Sequence, residues 1–153
     1  MSPKSGASAD DAVRYHSPVK TLLVDIDRVL LQHCVNRIRG RQQLSIATSK
    51  AQVLSVLKHS ATFDVIVACE RLEDGSGLAL LDEIHTRWPN LTRVFCTERE
   101  RLNVVRNRLS AFRLRYTLTY PIKPVKLELL LVHLAHTKAA STIRLPGPFG
   151  QER

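Results

Sequence analysis

The feature that most constrains this chain is a strict alternation between short β-rich apolar runs and longer stretches of helical period. The runs VKTLLVD (19–25), LSIATS (44–49), FDVIVAC (63–69), TRVFCT (92–97) and RYTLTY (115–120) are each followed by apolar residues at helical spacing. Two of them, 19–25 and 63–69, are apolar almost throughout, the pattern of a strand covered on both faces. Leu30, Leu31, Cys34, Val35 and Ile38 mark the first helix, which Gly40 closes. AQVLSVLKHS (51–60) marks the second, with Ser49 as its N-cap. The third, with Leu78, Leu81 and Ile84 on one face, stops near Trp88-Pro89, since a residue before proline avoids the helical region. Leu102, Val105, Leu109 and Phe112 stripe the fourth, and LELLLVHLAH (127–136) supplies the fifth. Five such units with short connections predict an α/β three-layer sandwich of flavodoxin-like kind, a parallel sheet of strand order 2-1-3-4-5. In these sheets function gathers at the carboxyl ends of the strands.

Composition sets the outer limits. A chain of 153 residues, 44% hydrophobic, buries one core. Residues 1–17 are small, polar and unpatterned, and the end of the chain has two prolines and two glycines in its last thirteen residues. Segments 1–17 and 139–153 are therefore predicted to be disordered, leaving one stand-alone domain over 18–138. No apolar run reaches the roughly 18 residues of a membrane span, and 1–20 is not a signal peptide. The expected setting is cytoplasmic, with no membrane contact. Cys34, Cys69 and Cys96 form no C-x-x-C pair, which suits reduced thiols better than a disulfide framework or a zinc site. The net charge of +9 raises a nucleic-acid or acidic-partner hypothesis, which needs a localised patch.

The strand ends carry the chemistry. They read Asp25-Ile26-Asp27, Cys69-Glu70-Arg71, Thr97 and Tyr120-Pro121-Ile122-Lys123-Pro124. Over about 20–138 the chain resembles the receiver domain of two-component response regulators, at four places in order. VDIDR is similar to the family's V-D-D-D, and CERLEDGSG to its D-x-R-L-P-D-G-S-G loop. VFCT carries a switch threonine, and YPIKP is similar to Y-x-x-K-P. The resemblance implies a non-enzymatic signalling module of a phosphorelay or of transcriptional regulation. In an active receiver, acidic residues after the first strand bind Mg²⁺ and an aspartate ending the third strand takes a phosphoryl group. A threonine then bonds that group and a lysine pairs with its charge. Carried over, Asp25 is the first acidic position, Thr97 and Tyr120 are the switch residues, and Lys123 is the lysine. Pro124 follows it, with an implied cis peptide bond between them.

The departures from that pattern matter most. Cys69 stands at the acceptor position, Ile26 at the second acidic position and Glu73 where the family has proline. Mg²⁺ demands oxygen ligands, so binding is expected to be weak or lost, and phosphoryl transfer with it. The expectation is a degenerate receiver that is not phosphorylated and needs no cofactor. Asp25 and Asp27 form a residual acidic pocket, with Asp25 expected to pair with Lys123 and Asp27 to cap the first helix. Glu70 is expected to be a solvated loop residue, because adjacent residues at a strand end point to opposite sides. A first alternative makes Cys69 a redox-modified residue, its thiol pKa lowered by a nearby lysine. Against it, no resolving cysteine is identifiable in the sequence.

The segment ERERLNVVRNRLSAFRLR (98–115) holds six arginines against two glutamates, a net of +4. Arg99, Arg106 and Arg113 flank one edge of the fourth helix's apolar stripe, and Arg101 and Arg108 flank the other. The resemblance places this element in a dimerisation and output face made by helix four, strand five and helix five. These arginines point to an acidic protein partner or a homodimer. A basic nucleic-acid-binding module is a second alternative, ranked lower because neither a helix-turn-helix nor stacking aromatics accompany the charge.

Overall fold

The computed structural model describes residues 19–38, 42–59 and 62–142. The strands are β1 (Lys20–Val24), β2 (Gln43–Ala47), β3 (Val65–Cys69), β4 (Arg71–Leu72), β5 (Gly75–Ser76), β6 (Thr92–Thr97) and β7 (Tyr116–Thr119). The helices are α1 (Arg28–Arg37), α2 (Lys50–His59), α3 (Gly77–Arg87), α4 (Arg99–Ala111) and α5 (Pro124–Thr142). Five strands make one parallel sheet in the order β2-β1-β3-β6-β7. Counting sheet strands alone, that is 2-1-3-4-5, as the alternation predicts. The remaining two, β4 and β5, form a small antiparallel hairpin inside the loop 69–77. Gly40 and the segments 1–17 and 143–153 lie outside the described residues. Helix α5 runs to Thr142, four residues beyond 138.

Period-two geometry explains how one strand serves two cores. On β3, Ile66 and Ala68 point into a cluster with Val53, Leu57, Leu81, Ile84 and Val105, from α2, α3 and α4. Val65, Val67 and Cys69 point the other way, into a cluster with Leu31, Cys34, Leu127 and Leu131, from α1 and α5. All five β3 residues are buried, which accounts for the unbroken apolar run. Burying five side chains of this kind stabilises the fold by about 1.5–3 kcal/mol for each of the larger ones.

The loop 69–77 fastens several elements at once. Asp74 accepts from the amides of Lys50 (2.6 Å) and Ala51 (3.0 Å), and so caps α2 from outside it. Those bonds lower its pKa, the Lys50 amide first. Ser49 also caps α2 through Gln52 N at 3.1 Å, and Ser76 caps α3 through Ala79 N at 3.1 Å. Gly77 is obligatory: a Cβ there would lie 1.8 Å from the carbonyl oxygen of Cys69. Gly75, at φ +151°, adopts a backbone that other residues rarely do. These roles keep the loop's form independent of any phosphoryl chemistry.

Arg93 on β6 is buried and makes no close ion pair among the described residues, although the charge of Asp82 acts on it. Its guanidinium instead donates to the carbonyls of Leu81 (3.0 Å), Phe112 (2.9 Å) and Arg113 (3.1 Å), so tying α3 to the chain just past α4. Arg113 itself has φ +60° and stands outside the helix. Within α4 only Val105 is fully buried; Leu102 and Leu109 are half-buried and Val104 is 67% exposed. The expected stripe is there, but it holds the helix loosely.

Candidate functional site

A cavity of about 470 Å³ opens at the carboxyl ends of β1, β3 and β6, with Asp25, Asp27, Cys69, Glu70, Thr97, Arg101 and Tyr120 in its wall. Asp25 follows β1 and is buried. One of its oxygens accepts from the Ile26 amide (2.8 Å) and the other from the Tyr120 hydroxyl (3.1 Å). Burial raises its pKa, against the pull of these two bonds. Tyr120 is also raised, by burial and then by the charge of Asp25. The expected pairing of Asp25 with Lys123 is corrected: Lys123 is exposed, and no ion pair joins the two among the described residues. Tyr120 has taken the place of the lysine because its hydroxyl reaches the carboxylate from inside the pocket.

Asp27 caps α1, accepting from Leu30 N at 3.1 Å, while Ile26 is 49% exposed. Two of the positions that would supply oxygens to a hexacoordinate Mg²⁺ hold an alkyl group, Ile26, and a thiol, Cys69. These residues do not fit that ion. The cis bond expected before Pro124 is also corrected: the cis peptide is Tyr120–Pro121. Pro124 opens α5, where its missing N–H costs nothing.

Cys69 ends β3, buried, in register with Cys96 of β6. Its thiol is raised far above the ordinary range, first by its hydrogen bond with Cys96 and then by burial. Two expectations change here. A second thiol does lie beside Cys69, which the sequence could not show because the register between β3 and β6 is a tertiary fact. The lysine expected to lower the thiol pKa is absent from the cavity wall. Cys34 lies in the same apolar cluster and donates to Ile122 O at 3.6 Å.

Glu70 reverses an expectation. Adjacent side chains do diverge at the end of β3, but the side opposite Cys69 is occupied by Thr97 and the first turn of α4. One Glu70 oxygen accepts from Thr97 Oγ1 at 2.5 Å and from Arg101 Nε at 3.3 Å. The other accepts from Arg101 Nε (3.0 Å) and Nη2 (2.5 Å). The Arg101 bonds, then the Thr97 hydroxyl, hold its carboxyl below the usual range. Thr97 is 1% exposed. Arg101 is thus paired with Glu70, though still partly exposed, and Arg113 lies beyond the helix. Arg99, Arg106 and Arg108 remain as exposed arginines on α4.

The fold is that of receiver domains. The signal receiver domain of an HD domain-containing protein from Pseudomonas fluorescens superposes with a TM-score of 0.69 at 24% identity, over 84% of this chain and 95% of that one. A response regulator receiver domain protein from Clostridium thermocellum gives 0.67 at 20% identity, covering 78% and 96%. A CheY-like one from Methanospirillum hungatei gives 0.67 at 18%, covering 82% and 99%. No protein-family model and no curated protein matches the sequence. Among the described residues no helix is long and apolar enough to cross a membrane.

Proposed function

We propose that this chain is a pseudo-receiver: a cytoplasmic, non-enzymatic signalling module that meets a protein partner without being phosphorylated on aspartate and without Mg²⁺. The observation that carries this reading is Cys69, a buried thiol at the acceptor position beside an Asp25 whose two oxygens are already bonded. Phosphoryl transfer depends on an acceptor carboxylate and on oxygen ligands for a metal beside it, and here Cys69 and Ile26 stand at two of those positions. Support for the partner surface comes from α4, where Arg99, Arg106 and Arg108 are exposed along the two edges of the helix. Such exposed positive charge suits an acidic protein surface. The redox alternative draws no support from the raised Cys69 thiol.

The test is incubation with acetyl phosphate and Mg²⁺, followed by intact-mass measurement and hydroxylamine treatment. No acyl phosphate is expected, and a stoichiometric one on any aspartate would refute the reading. Charge reversal at Arg106 and Arg108 should weaken partner capture while leaving the circular dichroism spectrum unchanged. Salt-sensitive DNA binding with no protein partner would favour the nucleic-acid alternative.

A further inference from the structure

We infer that the Glu70 carboxylate is a permanent internal latch, holding the first turn of α4 against the sheet in the role a transferred phosphoryl group would have toward Thr97. For its signalling meaning this rests on the pseudo-receiver reading; the latch itself is a statement about how α4 is held. Three observations carry it.

The first is that α4 needs such a tether. It buries only Val105 completely, and its N-cap residue, Glu98, makes no side-chain capping bond. The far end is secured by Arg93 through the carbonyls of Phe112 and Arg113. At the near end, the bonds from Arg101 and Thr97 to Glu70 do this work.

The second is the geometry of the carboxylate. Both of its oxygens receive donors, and Arg101 approaches as a two-pronged fork, the arrangement in which a charged pair is strongest and most directional. The Thr97 hydroxyl is buried, so losing its acceptor leaves a polar group without a partner.

The third is that Glu70 stands on a fixed base. Its carbonyl accepts from Gly77 N at 2.9 Å, and Gly77 admits no side chain because the Cys69 carbonyl fills that space. A carboxylate on so constrained a backbone cannot drift away as a loop residue would. A transferred phosphoryl group comes and goes, whereas this charge is covalently part of the chain. The α4 surface is accordingly held in one position at all times.

The experiment is amide hydrogen exchange on the full chain, comparing wild type with Glu70→Ala, Arg101→Gln and the double variant. Amides in the first two turns of α4 should exchange about tenfold faster in each single variant, the factor expected for losing hydrogen bonds to a charged group. The double variant should be no faster than Glu70→Ala alone, which already removes the acceptor of both Arg101 and Thr97. Core amides of β1 and β3 should keep their protection. Unchanged exchange in α4, or accelerations that multiply in the double variant, would overturn the inference. Should Glu70→Ala not fold, Arg101→Gln decides alone, since its side chain is 42% exposed and its loss leaves no cavity in the core. Acyl-phosphate formation would sink the pseudo-receiver reading and leave the exchange result standing, so the two fail separately.

Discussion

Restoring the missing acceptor, Cys69→Asp, should damage the protein. The new carboxylate would sit at a buried position within electrostatic reach of Asp25 and against the thiol of Cys96. The Arg101 guanidinium in the same cavity is committed to Glu70, and Lys123 is not in the cavity wall. Desolvation and a like charge together raise a carboxyl pKa by about three units. At about 1.4 kcal/mol per unit, that is a penalty of about 4 kcal/mol at neutral pH, a large part of the 5–15 kcal/mol typical of a domain. The sign follows from linkage. A raised folded pKa, here about 7, gives a penalty fully present above it, which shrinks as pH falls toward the unfolded value of about 3.9. The deficit should be about 4 kcal/mol at about pH 8 and about 1.5 kcal/mol at about pH 5. Urea unfolding followed by Trp88 fluorescence at both pH values measures it. A deficit below about 1 kcal/mol at the higher pH, or one independent of pH, would show that the cavity already supplies a compensating charge. Millimolar Mg²⁺ should leave the wild-type midpoint unchanged, and should recover part of the loss only when Ile26→Asp is added.

Gly77→Ala should cost about 3 kcal/mol or more, because its Cβ meets the Cys69 carbonyl and the backbone must move; an unchanged thermal midpoint would refute that close approach. Asp25→Asn should stabilise the protein at neutral pH, since burial is the largest influence on this carboxyl and raises its pKa. The gain should fade as pH drops through the folded pKa toward the unfolded one, and a loss of stability at neutral pH would mean the charge itself is favourable. All three cysteines should be silent to an aromatic disulfide reagent in the native state and titrate together in denaturant. Rapid native reaction at Cys69 would revive the redox alternative.

Much of the architecture was legible because it depends on local periodicity. The unbroken run on β3 and the stripes of the five helices fix which faces are apolar, and short connections leave few topologies. The site was legible only in part. Asp27 caps α1 as its position one turn before Leu30 implies. Glu70 was misjudged because its partners lie 27 and 31 residues away, and only the β3–β6 register brings Thr97 alongside it. The same register hid the Cys69–Cys96 contact. Asp74 gave no local sign of capping α2, since it reaches that helix from 24 residues further along the chain. Arg93 offers one further signal, since an arginine within a strand that continues as Val94, Phe95 and Cys96 calls for an interior acceptor.

Arg93 also determines how α4 can move. By holding the chain at Phe112 and Arg113, it makes the far end of the helix a pivot. Thirteen residues at about 1.5 Å each make a lever about 20 Å long. A swing of about 10° would carry the first turn by about 3 Å while barely displacing the last. Any rearrangement released by opening the near end is therefore graded along the helix. Arg99 would travel furthest and Arg108 least, so a partner touching the whole length would feel a change of angle rather than a translation.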